Sequence, residues 1–273
     1  MRFAKYQGLG NDFILVDVRQ SDVVLTPARV RALCDRRFGV GADGVLVIGR
    51  SSCGVASMGV HNADGGVAEM CGNGLRCVAR YLRAHDPALP ESYPVETGAG
   101  PLQITHLGDA VSVAMGGITD HGPVELRLAT TLRGRFVRLG NPHFVVYGQW
   151  TREDALRLGP IAERHPVFPE GVNVSFATLR GDEVQLFVWE RGCGLTMACG
   201  TGACATAAVG WLEGHLTPKR DVTVHLPGGQ LQLGGTPEAL EMRGAATLVF
   251  TGEWSEPELT APLAIGALLS GSS

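Results

Sequence analysis

Two cysteines in this chain stand at the same place in a short repeated pattern, Cys-Gly-x-Gly. The pattern covers residues 71–74 and again residues 199–202. Each copy is followed by a run without proline, residues 75–82 and 203–209, and therefore predicts the first turn of a helix. A first turn carries unpaired backbone N–H groups and the positive end of the helix dipole, so it favours a carboxylate or a thiolate. We therefore predict two thiols at anion-binding helix starts.

Two such thiols suit the inversion of one carbon atom. A thiolate removes a proton next to a carboxylate, and a thiol on the other side returns a proton to the opposite face of the planar carbanion. The helix starts would bind the carboxylate and stabilise the charge that spreads into it. Nucleophilic cysteine catalysis would pair one thiol with a histidine and leave the second copy unexplained. The pair Cys71 and Cys199 therefore predicts a cofactor-independent racemase or epimerase.

Other short patterns recur at nearly the same interval, which indicates an internal duplication. The two Cys-Gly-x-Gly patterns lie 128 residues apart. Four further pairs keep the same order, and they are Gly10-Asn11 with Gly140-Asn141, Gly41-Ala42-Asp43 with Gly171-Val172-Asn173, Asn62 with Glu190, and residues 100–104 with 229–233. We therefore expect two related domains that face each other across a cleft.

The predicted elements place the division near the middle of the chain. Residues 118–135 are polar and predicted to be irregular, and we place the boundary between an N-terminal domain of residues 1–117 and a C-terminal domain of residues 118–261. Residues 247–253 are predicted as the last strand of the second domain. The apolar tail, residues 262–273, is expected to cross back and complete the first domain.

The composition argues against several function classes. A hydrophobic fraction of 45% and a charged fraction of 18% are typical of a soluble globular protein, and the net charge of −4 does not favour nucleic acid or anionic membranes. No apolar run could cross a bilayer and the start has no export signal, so we expect seven reduced cysteines in the cytoplasm. The cysteine spacings do not match zinc sites, and neither Lys5 nor Lys219 has the context of a phosphate loop or a pyridoxal-phosphate site.

The chain resembles the diaminopimelate epimerase family over nearly its whole length. The matching motifs are Gly8-Leu9-Gly10-Asn11-Asp12-Phe13, Gly41-Ala42-Asp43-Gly44, Asn62-Ala63-Asp64-Gly65, Cys71-Gly72-Asn73-Gly74-Leu75-Arg76-Cys77, Gly140-Asn141-Pro142-His143, Glu190-Arg191-Gly192 and Ala198-Cys199-Gly200-Thr201-Gly202-Ala203-Cys204. The proline racemase family shares the paired cysteines, but it has a histidine in the place of Asn73 and lacks the Asn-Pro-His and Glu-Arg-Gly motifs.

The resemblance implies a fold, a reaction and a set of site residues. The fold is α/β (α+β), with two pseudo-symmetric domains, each a curled, mostly antiparallel sheet around a central helix, and the active site in the cleft between them. The reaction interconverts LL- and meso-diaminopimelate without metal or pyridoxal phosphate, for lysine and cell-wall synthesis, in a homodimer. The resemblance implies that Cys71 and Cys199 act as acid and base, and that His143 and Glu190 tune the pKa values of these thiols. It implies that the carboxylate at the reacting carbon is bound by the N–H groups of Gly72, Asn73, Gly200 and Thr201, and that the distant carboxylate is bound by Asn62, Asn141, Asn173 and Arg191. It also implies that Glu190 and the Arg191 carbonyl bind an ammonium group and that Asn11 lies at the substrate.

Alternatives remain open at this stage. Turn formation alone could explain the asparagines, Glu190-Arg191 could be a surface pair, and His143 could be a core histidine. A racemase of the same plan could act on another amino acid, and a redox sensor could use the two cysteines to form a disulfide. Gly44 lacks the amide that some family members carry there, and Leu195 and Met197 occupy a segment that is often more polar in the family.

Overall fold

A computed structural model describes residues 1–21, 23–218 and 220–255 of the chain, and in these ranges it contains eighteen strands and four helices. The first half contains β1 (Arg2–Gly8), β2 (Asn11–Asp17), α1 (Pro27–Cys34), β3 (Gly44–Gly49), β4 (Ala56–Asn62), β5 (Val67–Ala68), α2 (Gly72–His85), β6 (Ser92–Thr97), β7 (Gly100–Leu107), β8 (Ala110–Gly116) and β9 (Thr119–Arg127). The second half contains β10 (Thr131–Leu139), β11 (Asn141–Tyr147), α3 (Arg152–Glu163), β12 (Asn173–Arg180), β13 (Glu183–Glu190), β14 (Gly194–Leu195), α4 (Gly200–Leu212), β15 (Val222–Leu226), β16 (Gly229–Thr236), β17 (Ala239–Ala245) and β18 (Thr247–Glu253).

All the strands belong to one continuous sheet that has the same plan in both halves. Its order is β18-β1-β2-β3-β4-β6-β7-β8-β17-β16-β15-β13-β12-β11-β10-β9, with the short β5 on β4 and β14 on β13. The parallel pairs occupy matching places, β2–β3 and β4–β6 in one half and β11–β12 and β13–β15 in the other. The remaining pairs are antiparallel, which agrees with the mostly antiparallel sheet that the family resemblance implies.

The last strand of each half pairs with the first strand of the other half. β9 follows β8 in the chain but lies antiparallel to β10, and β18 follows β17 but lies antiparallel to β1. β8 and β17 pair with each other where the two halves meet. Separating the halves would therefore break three strand pairings at once.

The pairing of β18 differs from the pattern expected from the sequence, whereas β9 pairs with β10 inside the range predicted for the C-terminal domain. The irregular segment predicted after residue 117 is wrong over residues 119–127, which form β9. β9 is an edge strand that is mostly exposed and contains Gly122-Pro123, a pair typical of loops, although apolar and polar residues alternate from Val124 to Arg127. The strand at residues 247–253 exists, but it pairs with the first half. The boundary between residues 117 and 118 stays a prediction, and the tail 262–273 lies outside the described residues.

Paired glycines set the same turn in both copies. Gly10 and Gly140 lie between the first two strands of their halves and have φ angles of +78° and +64°. Only glycine adopts this region without steric cost. The repeated Gly-Asn dipeptides therefore place Asn11 and Asn141 at the start of equivalent strands.

Each half wraps its sheet around one helix. α2 contacts strands of the first half, α4 contacts strands of the second half, and the two helices contact each other. α4 is rich in alanine, and eleven of its thirteen residues are buried, so it is covered on all sides. One hydrophobic core joins the halves and includes Leu75 of α2 and Ala203 of α4. The predicted α/β (α+β) class with a central helix in each half is confirmed.

Candidate active site

Both cysteines of the repeated pattern are the N-cap residues of their helices. Cys71 precedes α2, and its Sγ accepts a hydrogen bond from the Gly74 N–H at 3.4 Å. Cys199 precedes α4, and its Sγ accepts from the Gly202 N–H at 3.4 Å. The two thiols therefore occupy equivalent positions, each capping a free N–H group of a first turn. This is the local geometry that the sequence predicts.

The glycines after the thiols allow both helix starts to approach one methionine. A Cβ atom on Gly72 would lie 2.7 Å from Met242 Cε, and one on Gly200 would lie 2.9 Å from Met242 Sδ. Met242 belongs to β17 and is fully buried. Because a side chain at either position would collide with Met242, small residues here permit the close approach of α2 and α4.

One side chain connects the two helix starts. Asn73, in the first turn of α2, donates from Nδ2 to the carbonyl oxygen of Ala198 at 3.2 Å. Ala198 immediately precedes Cys199. The residue two places after one thiol is thus bonded to the residue just before the other. The two helix starts are held together across the interface between the halves.

The surroundings of the thiols raise their pKa values. Burial raises the pKa of Cys71, while the Gly74 N–H and the Arg76 charge act in the opposite direction. Burial and the nearby Glu190 carboxylate raise the pKa of Cys199 well above its usual value. The helix starts alone would favour the thiolate form of both cysteines, as the sequence predicts. Without substrate, burial outweighs that effect and both groups are thiols.

Glu190 is the acidic group at the thiols. Its carboxylate Oε1 accepts a hydrogen bond from Thr196 Oγ1 at 2.5 Å, and burial raises its pKa. Its charge raises the pKa of both Cys71 and Cys199, and it also hydrogen bonds to the Cys199 thiol. Glu190 therefore lies where it can exchange a proton with Cys199, and it is not the exposed surface residue of the alternative interpretation.

A cavity of about 1050 Å³ lies beside the helix starts and collects most of the predicted residues. Eight of them line it: Asn11, Asn62, Cys71, Asn141, Asn173, Glu190, Arg191 and Thr201. Five do not: Gly72, Asn73, His143, Cys199 and Gly200. Cys199 is buried between Ala198 and the first turn of α4, and the adjoining Ala198 and Thr201 belong to the cavity wall.

Asn173 and Arg191 support each other at the cavity wall. The Asn173 side-chain oxygen accepts from the Arg191 backbone N–H at 2.8 Å, which leaves the Asn173 amide hydrogens for another acceptor. The Arg191 guanidinium donates from Nη1 to the Glu170 carbonyl at 2.8 Å and has no carboxylate partner in the described ranges. Four asparagine amides and this guanidinium line one cavity, and such donors can bind a carboxylate.

His143 is a buried, neutral histidine. Its side chain is fully buried on β11, and neither ring nitrogen has a hydrogen-bond partner within the described part of the chain. Burial, together with the charge of Arg191, lowers the pKa of His143 to about 3. An unpaired buried imidazole is costly for the stability of the fold.

The sequence did not lead us to a group of four charged side chains beside the cavity, which are Lys5, Asp12, Arg36 and Asp43. The Asp12 carboxylate binds Lys5 Nζ at 2.6 Å and Arg36 Nη2 at 2.6 Å, and Arg36 also binds Asp43 at 2.7 Å. Arg36 and Asp43 line the cavity. The sequence did contain a signal for these charges, because Asp12 follows Asn11 and Asp43 precedes Gly44 inside the quoted motifs. Hydrogen bonds from Arg36 and Lys5 lower the pKa of Asp12 despite its burial.

The two departures from the family pattern are Gly44 and the segment that contains Leu195 and Met197. Gly44 lies opposite Asn62 across β3 and β4, and a Cβ on Gly44 would lie 2.6 Å from the His61 carbonyl oxygen. The backbone here leaves no room for a side chain at Gly44. Leu195 and Met197 line the cavity, together with Cys193.

Within residues 1–21, 23–218 and 220–255, no three His, Cys, Asp or Glu side chains are grouped so that they could hold one metal ion. No helix of the described chain is long and apolar enough to cross a membrane.

Comparisons with known proteins agree with the geometry. The family model described as diaminopimelate epimerase matches residues 3–120 and 135–249. The diaminopimelate epimerase of Sphingopyxis alaskensis is 43% identical over 93% of this chain and 98% of its own length, and that of Synechococcus sp. strain JA-3-3Ab is 43% identical over 94% and 99%.

A solved structure shows the same fold at low identity. The crystal structure of a hydroxyproline epimerase from Agrobacterium vitis, with bound trans-4-hydroxy-L-proline, has a TM-score of 0.69 at 17% identity and covers 92% of this chain and 91% of its own. The family match and the sequence relatives extend over both thiol helix starts and the cavity between them. The chain therefore belongs to the diaminopimelate epimerase family.

Proposed function

We propose that this protein is an isomerase that interconverts LL- and meso-2,6-diaminopimelate by a two-thiol mechanism. The observation that carries the proposal is the pair of equivalent thiols, Cys71 and Cys199, each capping a helix start beside one cavity. The names of its relatives supply the substrate. The product belongs to the synthesis of lysine and of cell-wall precursors.

In the proposed reaction, one cysteine thiolate takes the α-hydrogen as a proton and becomes a thiol. The electron pair left on the α-carbon spreads into the adjoining carboxylate. The other thiol gives its proton to the opposite face of the carbon and becomes a thiolate. Protons and charge balance, and the two directions of the reaction exchange the roles of Cys71 and Cys199.

The helix starts would hold the carboxylate of the reacting carbon. The backbone N–H groups of Gly72, Asn73, Gly200 and Thr201 belong to the first turns of α2 and α4, at the positive ends of both helix dipoles. These groups would bind the extra negative charge of the carbanion more strongly than that of the ground state, which is the source of catalysis.

A thiolate must form inside a site where burial favours the thiol. Glu190 hydrogen bonds to Cys199, and its own raised pKa makes it a suitable holder of the displaced proton. His143 stays neutral, because burial lowers its pKa to about 3, and its two unpaired ring nitrogens can donate or accept a hydrogen bond. We assign both residues the tuning of the thiol pKa values.

The far end of the cavity would recognise the second amino-acid group of the substrate. Asn62, Asn141, Asn173 and Arg191 would bind the distant carboxylate, and Asn11 would also contact the substrate. Glu190 and the Arg191 carbonyl would bind an ammonium group. A substrate with a single carboxylate would leave this guanidinium and these amides unpaired, so a racemase acting on such an amino acid is the less favoured alternative.

The proposal extends to the setting of the enzyme. The two thiols supply both proton transfers, so the reaction is proposed to need no cofactor. We also propose a homodimer that works in the cytoplasm on a free small molecule.

The test is exchange of solvent deuterium into the α-carbon of LL-diaminopimelate under reducing conditions with no added cofactor. Wild type should exchange with inversion, whereas Cys71→Ser and Cys199→Ser should lose at least about a hundredfold in kcat/KM. Cys53→Ser is the matched control, because Cys53 is an exposed free thiol outside the cavity. Absence of exchange by the reduced wild type, or full activity of either cysteine variant, would refute the proposal.

A further inference from the structure

Arg76 is a fully buried guanidinium in α2, one turn below the Cys71 helix start. The proposed reaction leaves it without a role. Its hydrogen bonds run from Nε to the Ala245 carbonyl at 3.3 Å, from Nη1 to Met242 Sδ at 3.6 Å, and from Nη2 to Asn73 Oδ1 at 2.9 Å. Among the described residues no carboxylate lies within ion-pair distance of it. A buried cation with only neutral partners is costly for stability.

The fold makes room for this charge. A Cβ atom on Gly8 would lie 3.3 Å from Arg76 Nη2, and one on Gly244 would lie 3.2 Å from Arg76 Nε. Gly8 ends β1 and Gly244 is in β17, so glycines from both halves border the guanidinium. The site is shaped for a large planar cation rather than for a small apolar side chain.

Arg76 has no charged counterpart at the equivalent position of the second half. The position equivalent to Arg76 in the second half, 128 residues later, is Cys204, which carries no charge. Arg76 instead reaches across the interface between the halves to Met242 and Ala245 of the second half. Its charge acts on Cys71 in one half and on Cys204 in the other. Arg76 therefore lies between the two helices rather than within one copy.

Two negative charges can arise above Arg76 during the proposed reaction. One is the thiolate of the proton-accepting cysteine, and the other is the carbanion charge that spreads into the substrate carboxylate. Arg76 also holds Asn73, whose N–H is proposed to bind that carboxylate and whose Nδ2 is bonded to Ala198 before Cys199. The charge of Arg76 acts on Cys71, and its hydrogen bond to Asn73 connects it through Ala198 to Cys199.

We propose that Arg76 is a positioning residue for both halves of the site, which holds the Asn73 side chain and supplies one buried positive charge that stabilises negative charge at the two helix starts. The inference rests on the proposed function for its catalytic consequence. The effect on thiol ionisation is separate from it and can be measured without substrate.

The test compares Arg76→Met and Arg76→Gln, which remove the charge, with Arg76→Lys, which keeps it. The thiolate absorbance in the ultraviolet is titrated for each protein and for the same protein carrying Cys71→Ser, so that the difference reports Cys71 alone. We expect the Cys71 titration to move up by about one pH unit in the neutral variants and to stay near wild type in Arg76→Lys. Two neutral variants are used so that poor folding of one leaves the measurement possible.

Kinetics give the second measurement. In both neutral variants kcat should fall at least about tenfold, with a smaller change in KM and with the acid limb of the pH profile displaced upward, and Arg76→Lys should recover most of kcat. An unchanged Cys71 titration in folded neutral variants, or equal displacement in Arg76→Lys, would overturn the inference. Inactive wild type with a displaced titration would instead refute the proposed function and leave the charge effect standing.

Discussion

The side-chain amide of Asn73 donates a hydrogen bond to the carbonyl oxygen of Ala198 at 3.2 Å, joining the two helix starts of the active site. Asn73 follows Cys71 by two residues and Ala198 precedes Cys199 by one. Two thiols from different halves of a duplicated fold are thus linked through one buried asparagine, which is also bonded to Arg76.

Removal of this link should weaken both folding and catalysis. Asn73→Ala leaves the Ala198 carbonyl and an Arg76 N–H without partners, at a cost of about 1–3 kcal/mol in the free energy of unfolding. The Asn73 backbone N–H is kept, so a fall in kcat would report the relative position of the thiols. Denaturant unfolding and steady-state kinetics measure both effects.

The duplication provides the matched control for Asn73. Thr201 occupies the equivalent position after Cys199, and its Oγ1 lies 3.6 Å from the Cys199 Sγ. Thr201→Ala should cost less than about 1 kcal/mol, because no bond between the halves is lost. Equal destabilisation by the two variants would contradict the assigned link.

The close approach to Met242 predicts a specific pair of coupled substitutions. Gly72→Ala would place a Cβ 2.7 Å from Met242 Cε and should destabilise the protein by about 1–3 kcal/mol. Met242→Ala should make room for that methyl group, so that the two substitutions together cost less than the sum of the separate costs. Denaturant unfolding of the four proteins in the cycle gives the coupling.

Gly59→Ala serves as the control for the methyl group itself. The nearest side-chain atom to a Cβ there is Val47 Cβ at 3.6 Å, an ordinary contact. This exposed position should change stability by less than about 0.5 kcal/mol and show no coupling to Met242→Ala. A strictly additive Gly72–Met242 cycle would argue against the packing constraint.

His143 predicts a pH dependence of stability with a definite sign. The pKa of His143 is about 3 in the folded protein, whereas an unfolded histidine titrates near pH 6.5. The unfolded chain therefore binds the extra proton between these values. Stability from the neutral His143 is present above about pH 6.5 and is lost as the pH falls toward 3.

The difference between wild type and His143→Gln isolates this contribution. The free energy of unfolding of wild type should fall more steeply than that of the variant as the pH decreases below about 6.5. The same comparison with the exposed His121→Gln should show no such difference. Parallel pH profiles for wild type and His143→Gln would show that His143 is not held neutral.

The buried ion pair Lys5–Asp12 should contribute more to the free energy of unfolding than the exposed ion pair Arg2–Glu253. Lys5→Met removes a partner of Asp12 at a position where the lysine side chain is only 7% exposed and Asp12 is 18% exposed. This should cost about 3 kcal/mol or more, because a partly buried carboxylate loses one cation. Because Asp12 adjoins Asn11, kcat/KM should fall as well.

A surface pair supplies the comparison for Lys5. Arg2 binds Glu253 at 3.0 Å with side chains that are 90% and 72% exposed, and Arg2→Met should cost less than about 1 kcal/mol. Chemical denaturation at low and high salt measures both. Similar costs for Lys5→Met and Arg2→Met would contradict the assigned burial of the Lys5–Asp12 pair.

The local geometry of the site could be predicted from the sequence alone. Cys-Gly-x-Gly followed by a helical run is enough to place Cys71 and Cys199 as N-caps, because capping and glycine turns depend on neighbours within one helical turn. The recurrence of patterns predicted two halves with the same strand order, and Gly10 and Gly140 do occupy equivalent turns. Of the thirteen site residues that the family resemblance implies, eight line the cavity.

Only the tertiary structure decided the relationships between the halves. The pairing of β18 with β1, the bond from Asn73 to Ala198 and the bond from Arg76 to Ala245 all join residues more than a hundred positions apart. No local pattern encodes such pairings, because they depend on how two folded sheets pack. Burial likewise reversed the expected direction of the thiol pKa values, since desolvation depends on the whole surrounding fold and outweighs the effect of the helix starts.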